Sequence, residues 1–312
     1  MMIMKQITDT VFMVRPIRFR LNEQTAVNNF YQDEDAEIVN QNSKAQEEFD
    51  AFAKALIKKG INVIIVEDDN KYDTPDSIFP NNWISTHENG DVVLYPMFAE
   101  NRRLERRPEV LDMLEEKGFK INNIIDYSSA EDEGFFLEGT GSLLLDRKNE
   151  LAYCSLSDRA HEELLIEFCE DMEYTPVIFS ANQSVDGQRM PIYHTNVMMA
   201  LGEEYAVVCL ESIDDKKERK NVLRHLKESV KEVIAITEQQ VASFAGNMMQ
   251  VHNAEGNKFL IMSDQAFQSL SKEQINILSR YNEIIHPDIT TIETLGGGSV
   301  RCMMAEVFLP KS

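Results

Sequence analysis

The chain has 312 residues, 43% of them hydrophobic, and no long Pro/Gly/Ser tract, so it can bury a full core and is not a disordered or linker-dominated polypeptide. Its 53 acidic residues outnumber 31 basic ones for a formal charge of -22, which repels phosphate backbones and anionic lipid surfaces and argues against nucleic-acid and membrane partners. The opening Met1-Met2-Ile3-Met4-Lys5 lacks a signal-peptide pattern, and Cys154, Cys169, Cys209 and Cys302 show neither disulfide-framework nor C-x-x-C spacing, so a cytoplasmic chain without structural zinc is expected.

Along the chain one unit recurs about every 55 residues: an apolar strand, a short turn, a second strand, an amphipathic helix and a third strand. The clearest helix is expected from about Ser43 to Gly60, with Ala45, Phe49, Phe52, Ala53, Leu56 and Ile57 on one face and a terminating glycine. The strand Ile61 to Val66 follows it. The same order returns with Leu111 and Leu114 before Ile121 to Ile125, and with Leu164, Leu165, Phe168 and Cys169 before Pro176 to Phe179. It returns again with Val222, Leu223 and Leu226 before Val233 to Ile236. The last copy places Ile275 and Leu278, behind a Ser271/Gln274 capping box, before Glu283 to Ile285. Between these helices, Trp83 to Tyr95, Gly141 to Leu156, Thr195 to Leu210 and Asn247 to Met262 read as hairpins. A final strand within Val300 to Leu309 is free to pair with Val11 to Arg18, which would close the units into a ring without an exposed sheet edge.

Three polar segments interrupt apolar strand starts at corresponding points of these units. They are Phe136-Leu137-Glu138-Gly139-Thr140-Gly141, Tyr193-His194-Thr195-Asn196-Val197 and Gly296-Gly297-Gly298-Ser299-Val300-Arg301-Cys302-Met303. Glu138 and His194 are separated by one repeat, which places them at the same depth of adjacent units. Singly, Cys302 reads as a small buried hydrophobe, His194 as a structural histidine and Glu138 as a solvated carboxylate. Together they read as a nucleophile, a proton-transfer group and its orienting partner. Gly296 to Gly298 could bring backbone N-H groups close to a ligand, and Arg301 with a protonated His194 would favour the thiolate.

The segments Phe136 to Ser142, His194 to Val197 and Gly296 to Met303 resemble the Glu-Gly, His-x-Asp and Gly-rich Cys motifs of arginine deiminases, dimethylarginine hydrolases and amidinotransferases, the pentein superfamily. The resemblance extends over essentially the whole chain and looks closest to the arginine-deiminase-related citrulline utilisation hydrolases (CtlX type). It implies an α/β five-bladed propeller with pseudo-fivefold repeats, a single catalytic domain over 1-312, no metal or other cofactor, and covalent catalysis by Cys302, His194 and Glu138. It also carries over Asp76-Ser77-Ile78-Phe79-Pro80-Asn81-Asn82-Trp83, similar to the family's strand with a substrate-binding Asp three residues after a Phe.

The chain departs from the family at two substrate-binding positions, where Asn82 and Asn196 stand in place of Asp. Carboxylates clamp a guanidinium with charge-assisted hydrogen bonds, whereas an amide offers one donor and one acceptor and suits a neutral ureido group. Asp73, Asp76 or Asp186 could instead supply the missing charge. The expected substrate is therefore a small amino acid, first citrulline, cleaved to ornithine, ammonia and carbon dioxide, with Asn82, Asn196, Asp76, Phe79, Gly297 and Arg301 around it. An arginine, methylarginine or agmatine deiminase-type hydrolase, or an amidinotransferase, is the alternative within enzymes. A non-catalytic propeller that binds a macromolecule is the alternative from another class. Arg15, Arg102, Arg103 and Arg301 are all candidates for the substrate carboxylate, and homo-oligomerisation is left open.

Overall fold

The computed structural model describes residues 4–33, 35–69, 71–229 and 232–311. Met1 to Ile3, where the reading of the N-terminus begins, lie outside the described residues. The expected helix runs over Gln41–Lys58, with Ala45, Phe49, Phe52, Ala53 and Leu56 buried at helical spacing. Each of its two phenylalanines contributes roughly 1.5–3 kcal/mol by leaving water. Lys59 and Gly60 end it, and Gly60 takes a φ of +80°, which a residue with a Cβ rarely adopts.

Five three-stranded sheets repeat one connectivity, an antiparallel pair followed by a parallel third strand. In the second to fifth sheets the hairpins are Ile84–Thr86 with Asp91–Leu94, Leu143–Asp146 with Leu151–Ser155, Met199–Leu201 with Tyr205–Val208, and Met249–His252 with Lys258–Ile261. Their third strands are Asn123–Asp126, Thr175–Phe179, Glu232–Ala235 and Glu283–Ile285. Helices Pro108–Glu116, Glu162–Asp171, Lys216–Glu228 and Lys272–Leu278 make the crossovers. The last is opened by the expected capping box, in which Ser271 and Gln274 satisfy each other's backbone N-H groups.

The first sheet joins the two ends of the chain. Thr10–Arg15 pairs in parallel with Asn62–Glu67 and antiparallel with Ala305–Glu306, in the register Val11 to Glu306. The strand expected within Val300 to Leu309 is thus reduced to two residues. The segment before it is a helix, Thr290–Gly296, capped by Glu48, whose carboxylate accepts the N-H groups of Thr291 and Ile292 at 2.8 and 3.0 Å. A further hairpin, Asn182–Val185 with Gln188–Pro191, is an insertion that the repeat did not announce.

The inner strands of neighbouring sheets touch. Met199–Leu201 lies against both Leu143–Asp146 and Met249–His252, and Ala305–Glu306 lies against Ile84–Thr86. Two one-turn helices, Gly139–Ser142 and Thr195–Met198, pack on each other at the inner ends of their sheets, and Gly139–Ser142 also meets the turn Pro80–Asn82. Two of the three polar segments therefore begin helical turns, not strands, and the third follows the helix Thr290–Gly296. Glu138 and His194 occupy the residue just before each turn, so the repeat brings both side chains to one place. No described helix is long and apolar enough to cross a membrane.

Candidate active site

Cys302, His194, Asp76, Phe79, Asn82, Arg102 and Arg159 line one narrow cavity, with Thr25, Asn29, Tyr193, Gly296 and Gly298 completing its wall. Thr25 and Asn29 belong to the segment around the short helix Glu23–Ala26. A far larger groove over Thr237, Gln240 and Gln274 holds none of these groups.

His194 Nε2 lies 2.7 Å from Glu138 Oε2, and both residues are buried. A carboxylate only accepts, so Nε2 carries the proton and Nδ1 presents the ring's lone pair. Glu138 Oε1 accepts the Phe98 N-H at 3.0 Å, and Arg159 Nη1 stands 3.7 Å from Oε2. Burial opposes its charge, yet Arg159, the His194 hydrogen bond and Arg102 outweigh burial and hold the carboxyl down at about 2. Burial lowers His194 to about 4, with Glu138 opposing and Arg159 and Arg102 adding to the shift. The shift favours the neutral imidazole, against the expectation of a protonated His194 beside the thiol.

Gly141 makes this arrangement sterically possible. A Cβ there would fall 2.3 Å from Asn82 Nδ2 and 2.7 Å from His194 Nδ1. Gly296 and Gly298 have a similar reason: a Cβ on either would meet the Phe79 ring at 2.8 or 3.0 Å.

Asn82 has a fixed orientation. Its Oδ1 accepts from Arg102 Nη1 at 2.8 Å, and because a guanidinium only donates, the amide cannot be flipped. Its Nδ2 is buried with no partner. Asp76 presents the converse: Oδ2 accepts from Asn22 at 2.8 Å and Thr25 at 3.1 Å, while Oδ1 is buried without a partner. Burial raises the Asp76 pKa, and Arg102 opposes the shift. Asp76 thus places a carboxylate in the cavity, whereas Asp73 pairs with Arg20 at the surface and Asp186 sits at the tip of the inserted hairpin.

Asn196 touches the thiol instead of the cavity wall, its Nδ2 being 3.6 Å from Cys302 Sγ and 3.4 Å from the Thr140 carbonyl. Two expected site residues face elsewhere. The Arg301 guanidinium donates to the Met304 carbonyl and to Glu306, each at 3.0 Å, and lines a separate cavity with Arg147. Gly297 caps the helix Thr290–Gly296 with a φ of +61°, its N-H used by the Glu293 carbonyl and its own carbonyl accepting from Tyr193. The glycine loop therefore serves packing and capping at that point, not a ligand. Of the arginines considered for a carboxylate, Arg102 lines the cavity, Arg15 pairs with Asp50, and Arg103 donates to the Met97 carbonyl.

Sequence reasoning missed Arg159 and Asn247. Arg159 is buried, stacks 4.7 Å from the Tyr193 ring and donates to Asn28 Oδ1 at 2.9 Å through Nε. Asn247 Nδ2 donates to Cys302 Sγ at 3.3 Å. It stands just before the hairpin strand Met249–His252, as Asn82 stands just before Ile84–Thr86, so the repeat held the signal. Thr25 and Asn29 lie in an aperiodic segment that gave none. Among the described residues no group of three His, Cys, Asp or Glu side chains could hold a metal ion.

The fold and the site together define an α/β protein with a thiol, an imidazole and a carboxylate gathered at one buried cavity. The chain belongs to the family described as N,N dimethylarginine dimethylhydrolase, eukaryotic, whose model matches residues 15–309, within the pentein arginine-modifying amidinotransferase superfamily. Among solved structures it is similar to ArgZ, an arginine dihydrolase from the ornithine-ammonia cycle in Cyanobacteria, at 17% identity and a TM-score of 0.74 over 97% of this chain. This chain spans only 41% of ArgZ. It is similar to the substrate-bound N-terminal domain of ArgZ at 17% identity, covering 96% of this chain and 99% of that domain with a TM-score of 0.69. A dimethylarginine dimethylaminohydrolase carrying an S-methyl-L-thiocitrulline adduct gives 14% identity, coverage of 96% and 100%, and a TM-score of 0.62. These likenesses show the α/β fold. Comparison with curated protein sequences gives no match.

Proposed function

We propose that the chain is a cysteine-dependent hydrolase of the C-N bond in a ureido or guanidino group, with citrulline as first substrate. The observation that carries this reading is the cavity lined by Cys302 and by His194, whose ring Glu138 holds, with Asn82 in its wall carrying a buried amide Nδ2 without a partner. Five sheets of one connectivity support reading residues 1–312 as one five-bladed propeller domain. The acidic charge and the scattered cysteines favour a cytoplasmic protein acting on a small molecule, not on nucleic acid or membrane.

In this mechanism Cys302 Sγ attacks the ureido carbon and the carbonyl oxygen becomes an oxyanion, for which Asn82 Nδ2 is the placed donor. His194 Nδ1 takes the Cys302 thiol proton as the sulfur attacks and passes it to the departing ornithine nitrogen as the C-N bond breaks, leaving an S-carbamoyl thioester. The imidazole then takes a proton from water, whose oxygen attacks the thioester carbon and expels the thiolate. The carbamate released decomposes to ammonia and carbon dioxide. Glu138 keeps Nε2 protonated and Nδ1 available through both transfers, so its role is orientation and charge.

A second reading, an arginine deiminase or dimethylarginine-type hydrolase, is favoured by the Asp76 Oδ1 acceptor, which suits a guanidinium N-H. A panel of citrulline, arginine, agmatine and methylarginines, with ammonia, ornithine and urea measured separately, tests both. Ornithine and ammonia from citrulline support the first reading. Turnover of arginine with none of citrulline supports the second, and turnover of nothing in the panel overturns both.

A further inference from the structure

With Arg301 turned toward Glu306 and burial favouring the neutral form of His194, neither group supplies the positive charge expected beside the nucleophile. What surrounds Cys302 Sγ instead is a pair of amides. Asn247 Nδ2 is 3.3 Å from Sγ and Asn196 Nδ2 is 3.6 Å from it. Asn247 is fully enclosed, and its orientation is dictated at both ends. Its Oδ1 accepts the Arg301 backbone N-H at 3.0 Å, while Nδ2 also donates to the Asn196 carbonyl at 3.1 Å. A flipped amide would set donor against donor and acceptor against acceptor.

The backbone that presents Asn247 is built for the purpose. Phe244 adopts a φ of +60°, unusual for a residue with a bulky side chain, and its carbonyl accepts the Asn247 N-H at 2.8 Å. Gly246 presses against the turn after His194, where a Cβ would lie 2.2 Å from the Val197 carbonyl oxygen. The strained turn holds the amide at the sulfur and ties the fourth and fifth units together there.

We propose that Asn247 is a catalytic amide donor to the Cys302 nucleophile, which holds negative charge on Sγ before attack and again when the sulfur is expelled. The proposal rests on the reading of Cys302 as nucleophile and adds a residue outside the Cys, His and Glu set. An N-H directed at sulfur binds a thiolate more strongly than a thiol, because the hydrogen bond to the ionised form is charge-assisted. The donor thus takes the part expected of Arg301 or a protonated His194 beside the sulfur. No bond is made or broken at Asn247 itself.

The test is alkylation of Cys302 by iodoacetamide, followed by peptide mass spectrometry between about pH 5 and about pH 10, in the full chain without substrate. Asn247→Asp keeps the shape and the acceptor for Arg301 but replaces the donor with an acceptor. Asn247→Ser introduces neither bulk nor charge and serves if the aspartate variant fails to fold. The expected result is an alkylation rate near neutral pH at least about tenfold below that of the unsubstituted protein, with the pH profile moved upward by about one unit. In the same variant kcat should fall with KM little changed. A folded variant whose pH profile coincides with the unsubstituted protein's overturns the proposal. Failure of the underlying reading would look different: Cys302→Ala would retain turnover whatever the alkylation profiles show.

Discussion

Asn82→Asp should transfer substrate preference from the ureido to the guanidino group, and the size of the effect follows from the orientation of one amide. In the unsubstituted chain Asn82 lines the cavity, Arg102 holds its Oδ1 at 2.8 Å, and its Nδ2 is buried without a partner. A ureido oxygen accepts from that donor, a net gain of about 1 kcal/mol. A guanidinium has no acceptor to offer, so the donor stays buried and unsatisfied at a cost of about 1–3 kcal/mol. The difference of about 2–4 kcal/mol corresponds to a preference for citrulline of between about 30-fold and about 700-fold from this residue alone. Aspartate would accept from Arg102 on one oxygen and from a substrate N-H on the other, which reverses the sign for arginine. Asn196 is not the residue to change with it, because an aspartate there would confront Cys302 Sγ directly. The assay is kcat/KM for both amino acids, with affinities measured separately in the Cys302→Ala background to isolate binding from reaction. Arginine preferred by the unsubstituted chain, or an unchanged ratio in folded Asn82→Asp, would refute the reasoning.

Cys302→Ala should abolish turnover with the fold intact, and iodoacetamide should label Cys302 ahead of Cys154, Cys169 and Cys209, whose thiols burial pushes up, Cys169 to about 12; equal labelling of all four counts against the mechanism. His194→Ala and Glu138→Gln should be non-additive, the double variant being barely slower than His194→Ala, whereas losses that multiply would return Glu138 to a structural role. Gly141→Ala should eliminate activity because its Cβ would overlap both His194 and Asn82; a fully active variant would mean that this packing of His194 and Asn82 is not the working one. Burial raises Glu293 from 4.5 to about 7, with Ser263 and Ser299 opposing. Such a raised pKa contributes stability below about pH 4.5 that is lost as the pH rises through about 7. Glu293→Gln, which retains an acceptor for Ser299, should therefore melt above the unsubstituted protein near about pH 8 and converge on it near about pH 5, and a pH-independent gap would dismiss the assignment.

The elements that the sequence announced are those whose identity is set by periodicity. The helix Gln41–Lys58 could be read from its apolar face, although Ile57, placed on that face by sequence, is exposed, and the Ser271/Gln274 box marked the start of another helix because its two hydrogen bonds span only three residues. The joining of Glu138 to His194 was also legible, since one repeat separates them and equivalent positions of adjacent units meet. Arg301 shows where adjacency misleads. It neighbours Cys302 in sequence, but the chain turns after the helix Thr290–Gly296 and sends the two side chains to different cavities. Even a strand at this point would have alternated their faces, so proximity along the chain was never evidence of a shared pocket. The charge on His194 was illegible for another reason: it depends on burial, and burial is a property of the assembled units. Most consequential is the amide of Asn82. Sequence identifies the residue as amide in place of carboxylate, but whether it turns a donor or an acceptor to the substrate is decided by Arg102, twenty residues away, which is itself held by Glu105 at 2.9 Å. Substrate choice in this site is thus written in an orientation, so substitutions at Arg102 and Glu105 bear on specificity although the mechanism gives neither residue contact with the reacting carbon.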